Sequence, residues 1–139
     1  MKTMLRISTK GRYGLRLMVR LAKNFGNGPM LLSDLSKQED LSLKYAEHLV
    51  RLLKPTKLLK SYRGANGGYE LALSPEKVNI KLIIEALEGT DYPVECLHSP
   101  DICDRSETCP SKIVWNKLEV AISQTLESIN LGQLLQEGD

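Results

Sequence analysis

The chain has 139 residues, 42% hydrophobic and 26% charged, which suits one compact domain with one appended element and argues against a disordered chain. With one Phe and one Trp, its core has to be built mainly from Leu, Ile and Val. No run of about eighteen apolar residues occurs, and Met1 to Lys10 lack the apolar segment and cleavage site of a secretory signal. The expectation is a cytoplasmic protein with reduced thiols and no membrane partner.

A formal net charge of +2 conceals an asymmetry. Residues 1–63 hold 14 Lys and Arg against 4 Asp and Glu, a balance of +10, while residues 64–139 hold 5 against 13, a balance of −8. The basic part suits a polyanion, because each cation placed near a phosphate releases condensed counterions. Plain solvation of helix faces accounts for the same charge without a partner.

In chain order, Ser8 or Thr9 caps a predicted helix with an apolar stripe of Tyr13, Leu15, Leu17, Met18, Leu21 and Ala22. Lys10, Arg12, Arg16, Arg20 and Lys23 take its other face. The Gly26 to Pro29 segment ends it, 30–32 reads as a short strand, and Ser33 with Asp34 opens a second, brief helix. After a turn around Asp40 and Leu41, Ser42 is the natural N-cap of a third helix to about Lys54, with Tyr45, Leu49, Leu52 and Leu53 inward and Pro55 limiting it. Two short helices joined by a tight turn make a helix-turn-helix. Residues 58–62 and 69–73 then form a β-hairpin, or wing, joined by Arg63-Gly64-Ala65-Asn66-Gly67-Gly68, whose Gly and Asn tolerate a tight reversal. Those glycines do not match a dinucleotide or Walker phosphate loop, and no helix follows them directly.

Asn79 caps a fourth helix through Leu87, which Gly89 ends. Residues 91–110, broken by Pro93, Pro100 and Pro110, read as irregular and exposed, and they carry all three cysteines. Cys96, Cys103 and Cys109 are separated by six and five residues. Their odd number rules out a closed set of disulfides within one chain, while thiolates close in sequence can converge on one metal centre. A metal or cluster, redox-active thiols and incidental cysteines all remain open on these residues alone, although the Cys-x-x-Cys pairs usual for structural zinc are missing. The last long helix is predicted from about Ser111 to Ile129, with Trp115, Leu118, Ile122, Thr125 and Ile129 at three- and four-residue intervals and Val114, Ala121 and Leu126 beside them. This stripe packs on its own domain or on a second subunit. His48 and His98 lie in different segments without an evident acidic partner, so no enzyme is expected.

The series Ile7-Ser8-Thr9-Lys10-Gly11-Arg12-Tyr13-Gly14, the stretch from Leu41 through Leu49, the wing Arg63-Gly64-Ala65-Asn66-Gly67-Gly68-Tyr69, the three cysteines and the Trp115 helix resemble the Rrf-type family of transcription regulators. Within it, the pattern is similar to the IscR-like branch of iron–sulfur cluster regulators, over nearly the whole chain. The resemblance implies a mainly α fold with a small β-hairpin wing: a winged helix-turn-helix DNA-binding domain over 1–78, then the cluster-binding loop (91–110) and a long dimerisation helix within 79–139. It implies a homodimer on a double-stranded operator, with a cluster, 2Fe–2S foremost and 4Fe–4S as the alternative, held by Cys96, Cys103 and Cys109.

By the same resemblance Ser42, Lys44, Tyr45, Glu47 and His48 lie over the major groove, where a carboxylate can accept from a cytosine amino group. Glu47 matches the position that admits or rejects operator classes according to cluster state. Arg63 matches a wing arginine that enters the minor groove, and Lys10 and Arg12 a phosphate-contacting helix start. A packing role for Tyr45 and a plain surface role for His48 stay open. Family members place a histidine ligand three residues after the last cysteine, where this chain has Lys112, and the Cys96–Cys103 gap is one residue longer than theirs. His98 is therefore the first candidate for the fourth ligand, ahead of Asp101, Asp104, Glu107 or a group from the partner subunit. A second branch takes an acidic ligand from the partner at the position of Arg12, which does not suit that role. The expected targets are iron–sulfur assembly genes, with assembly proteins as cluster donors. The alternatives are a cluster-free regulator of cysteine metabolism acting through a protein partner, and a thiol- or metal-binding adaptor that does not bind DNA.

Overall fold

The computed structural model describes residues 6–65, 67–89 and 108–137. Its elements are α1 (Thr9–Lys23), α2 (Leu32–Gln38), α3 (Leu43–Leu53), β1 (Leu59–Tyr62), β2 (Gly68–Leu71), α4 (Ile80–Glu88), α5 (Lys112–Glu127) and α6 (Leu131–Glu137), with short 3₁₀ turns at Lys54–Thr56 and Pro75–Lys77.

Ser8 is the cap of α1, its hydroxyl accepting from the Gly11 N–H at 3.4 Å. The Ser8 N–H and hydroxyl in turn both donate to Glu88 at 2.8 Å, which ties the start of α1 to the end of α4. A Cβ on Gly11 would overlap Glu88 and one on Gly14 would overlap Leu87, so the absence of side chains there lets the two helices approach. Leu17, Met18, Leu21 and Ala22 are buried, while Tyr13 and Leu15 sit half-buried at the margin of that stripe.

The expected strand at 30–32 shrinks to one bridging residue. Met30 exchanges two 2.8 Å backbone hydrogen bonds with Tyr69, after which Leu31 is already the N-cap of α2. Ser33 does not open that helix but lies in its first turn, where its carbonyl accepts from the Ser36 hydroxyl at 2.8 Å. At the other end of α2, Asp40 takes a left-handed backbone with φ 55°, and Leu41 N–H donates to Ser36 O at 2.8 Å. This is a Schellman stop. Ser42 then caps α3 as expected, accepting from the Tyr45 N–H at 3.1 Å.

The hairpin pairs Leu59 with Leu71, Lys60 with Glu70, Ser61 with Tyr69 and Tyr62 with Gly68, and both strands are shorter than predicted. Gly68, with φ 136°, lies against the Met30 carbonyl, where a side chain has no room. Asn79 caps α4 by accepting from Lys81 N–H at 2.7 Å, and Gly89 follows it at φ 96°.

The last long helix, expected to about Ile129, ends slightly earlier and is followed by a further helix that was not expected. The α5 helix stops at Glu127, and α6 starts afresh through a reciprocal capping box: Asn130 N–H donates to the Gln133 side chain at 2.8 Å, and Gln133 N–H to the Asn130 side chain at 2.9 Å. Two backbone bonds of 3.0 Å, Ile80 N–H to Ile129 O and Leu131 N–H to Val78 O, pin this junction to the start of α4. Leu131 thereby enters the same buried cluster as Leu17, Leu49, Leu53 and Ile83. No residue of α5 is fully buried: Trp115, Leu118, Ile122 and Leu126 are half-buried, whereas Val114, Ala121 and Thr125 of the expected stripe are exposed. Among the described residues no helix is long and apolar enough to cross a membrane.

Candidate nucleic-acid interface

The α3 helix buries Ala46, Leu49, Val50 and Leu53, and this determines what it presents to solvent. Lys44, Glu47, Arg51 and Lys54 follow one another along the exposed side at three- and four-residue steps. Ser42 is exposed, with its hydroxyl engaged as the cap. Tyr45 is half-buried. Its ring meets Tyr13 edge-on, with centroids 6.3 Å apart at 84°, and its hydroxyl donates weakly to Thr9 at 3.4 Å. His48, also half-buried, lies 6.3 Å from the Tyr45 ring. Of the residues predicted to face the groove, Lys44 and Glu47 thus stand clear of the protein, whereas Tyr45 is a bridge between α3 and α1.

Lys10 is half-buried and Arg12 exposed in the first turn of α1. The Arg12 and Arg16 guanidinium groups sit 5.8 and 5.0 Å from the centre of the Tyr13 ring, within range of a cation–π attraction.

The wing completes the surface. Glu47, Arg51 and Lys54 share one open trough with Tyr62, Gly64 and Gly67 of the hairpin. Lys54 reaches across it, its ammonium 5.8 Å from the centre of the Tyr69 ring. Arg63 is exposed just beyond β1, at the entry to a turn closed by Gly67 N–H donating to Gly64 O at 3.0 Å. Across the hairpin the Tyr62 hydroxyl donates to Glu70 at 2.7 Å, and this hydrogen bond, with partial desolvation and the nearby negative charge, raises the phenol above its ordinary pKa. The face thus combines cations for phosphates with one carboxylate able to read a base edge. Arg51 and Lys54 were absent from the predicted set, although their spacing from Glu47 places them on the same face of any helix starting at Ser42.

Cys96, His98 and Cys103 lie outside the described residues, as do Asp101, Asp104 and Glu107. Cys109 is half-buried, and its carbonyl accepts from the Lys112 N–H at 3.1 Å. It therefore stands at the foot of α5. Among the described residues no three Cys, His, Asp or Glu side chains gather as a metal site. As a donor set, three thiols with an imidazole nearby in sequence suit an iron–sulfur cluster.

A helix-turn-helix whose exposed helix shares a trough with a two-stranded wing defines a DNA-binding regulator of the winged-helix class. The chain belongs to the Rrf2 family, described as "Iron-dependent Transcriptional regulator", which matches residues 7–137. Among its relatives, the HTH-type transcriptional regulator CymR of Bacillus subtilis is 38% identical over 135 residues, covering 97% of this chain and 93% of the relative. The solved structure titled CymR (YrzC), the global cysteine regulator of B. subtilis, superposes with a TM-score of 0.77 at 38% identity, covering 97% of this chain and 99% of that one. The IscR of T. potens also gives a TM-score of 0.77, at 35% identity over 97% of this chain and 89% of its own. These relatives are transcription regulators, not enzymes.

Proposed function

We propose that this protein is a homodimeric regulator whose grip on operator DNA is set by an iron–sulfur cluster, 2Fe–2S before 4Fe–4S, and that it governs iron–sulfur assembly genes. The observation that carries the DNA half is the trough shared by Glu47, Arg51 and Lys54 with the wing. In this reading residues 1–78 hold the duplex. Lys44 and Glu47 address base edges, with Ser42, Tyr45 and His48 around them; Arg63 enters the minor groove, and Lys10, Arg12, Arg51 and Lys54 meet phosphates. Residues 79–139 carry the sensing stretch and the pairing surface. The second subunit covers α5, where Ile113, Val114 and Val120 are 62%, 57% and 53% exposed.

Cys96, Cys103 and Cys109 hold the cluster, with His98 as fourth ligand, and assembly proteins deliver it. Bound there, it supplies a centre sensitive to iron supply and oxidation. Cys109 lies three residues before Lys112, the first residue of α5, so the ligand stretch borders the pairing helix directly. The test is anaerobic purification, an absorption spectrum, and operator affinity with and without reconstituted cluster, in wild type and Cys103→Ala. Visible absorption bands and an affinity that changes with the cluster in wild type alone are expected; identical affinities in both states remove the sensing role.

A second reading draws on the 38% identity to CymR: a cluster-free regulator of cysteine metabolism that responds through a protein partner. Colourless protein from anaerobic cells, still colourless after reconstitution and still binding DNA, decides for it. Failure to bind any duplex at low salt decides instead for a thiol adaptor.

A further inference from the structure

Among the described residues Glu39 is the one charged residue in the buried set, 7% exposed, and it lies at the helix-turn-helix corner. Its carboxylate receives Arg16 Nε at 3.1 Å on one oxygen and Arg20 Nε at 2.8 Å on the other. Its backbone carbonyl accepts from Arg16 Nη2 at 3.0 Å. Both arginines stand on α1, one turn apart, and are themselves partly exposed. Glu39 is the C-cap of α2, Asp40 follows in the left-handed conformation, and α3 is capped at Ser42. Only two residues, Asp40 and Leu41, thus separate the buried carboxylate from the cap of α3.

A buried charge held by two cations contributes little net stability, because its desolvation offsets much of the attraction, and apolar side chains of similar size often replace such a triad without loss. What apolar contacts lack is direction. Two planar guanidinium groups, each donating Nε to a different oxygen of one carboxylate, with a third bond from Arg16 to the Glu39 backbone carbonyl, accept only a narrow range of positions for the end of α2. We infer that Arg16, Glu39 and Arg20 form a positioning clamp: they fix the α2–α3 corner on α1, so that Glu47 and Lys44 meet base edges while Lys10 and Arg12, on the same α1, meet phosphates. Glu39 is a positioning residue and itself touches no DNA. The inference rests on the DNA-binding reading above.

The test uses the full chain and a duplex selected from a random library by the wild-type protein, against an unrelated duplex of equal length. The measured quantity is the ratio of the two affinities, which cancels the change in total charge. Two variants are compared, Glu39→Gln and the apolar replacement Arg16→Met/Arg20→Met/Glu39→Leu, each below its melting temperature. The expected result is a fall in the ratio of about tenfold or more, the order of one or two lost base contacts, even where the apolar variant melts as high as wild type. A folded variant that keeps the wild-type ratio within about twofold overturns the clamp. If the wild type prefers no duplex, the DNA-binding reading fails first, and the clamp is judged by amide exchange in Glu39→Gln. Faster exchange at Asp40 and Leu41 without a global change in protection sustains it; unchanged exchange there refutes it.

Discussion

Arg51 and Glu47 sit one helical turn apart and face the same trough, yet they should respond to different measurements. Removing a phosphate contact weakens every duplex alike, so Arg51→Ala should lower the slope of log affinity against log salt by about one while leaving base preference unchanged. Glu47→Ala should instead relax preference at one base position, worth about 1–3 kcal/mol, with the salt slope preserved; fluorescence anisotropy over a salt series separates the two. A third residue belongs to packing. Gly14→Ala pushes a methyl into Leu87 and should lower unfolding stability by about 1–3 kcal/mol in a urea titration, since α4 must move or the core must repack. Arg51 was legible once the start of α3 was known, because helical period alone assigns its face. The Arg16–Glu39–Arg20 contact was not, since it joins residues 19 and 23 positions apart through a tertiary corner that no local pattern encodes.

Caps made most element boundaries readable. Ser8, Ser42 and Asn79 each accept a hydrogen bond where a polar side chain preceded an apolar run, and Gly89 ends α4 as such residues do. The α2 start was misread because its N-cap is Leu31, which makes no side-chain cap bond; pairing of Met30 with Tyr69 sets that boundary instead. The end of the long helix was read at about Ile129, close to where α5 stops, but α6 was not read at all, although Asn130-x-x-Gln133 carries a capping signature. Asn130→Ala should therefore cost about 1 kcal/mol in chemical denaturation. At the same junction Lys81 bonds Glu127 at 2.8 Å, and that bond, with the opposite charges, raises the Lys81 pKa and lowers that of Glu127. The depressed carboxylate contributes stability above its unfolded pKa that is lost as acid protonates Glu127. The raised ammonium contributes below its unfolded pKa and loses this as strong base deprotonates Lys81. The stability difference between wild type and Lys81→Met should be flat through neutral pH and shrink at both extremes, as thermal melts across pH will register.

For the molecule as a whole, the winged helix-turn-helix was legible because its apolar periods, caps and glycines are local, whereas the use of the α5 face was not. An amphipathic stripe says that a helix is covered and leaves open by what. With no α5 residue fully buried, Val120→Glu should convert a dimer to a monomer in sedimentation velocity and reduce operator affinity, with the fold retained by circular dichroism. The wing carries a further consequence. Tyr69 is fastened to Met30, just before α2, by paired backbone bonds, and its ring is overlain by Lys54 at the end of α3, so the hairpin is held both to the approach to α2 and to the end of α3. On the DNA-binding reading such a frame acts as a caliper, with the interval between hairpin tip and α3 set by the protein's own contacts. On that reading, an operator with one base pair inserted between the two contacts displaces them by about 3.4 Å along the axis and turns them around it, and it should bind more weakly in the same anisotropy assay. Natural target sites should accordingly vary in letters far more readily than in length.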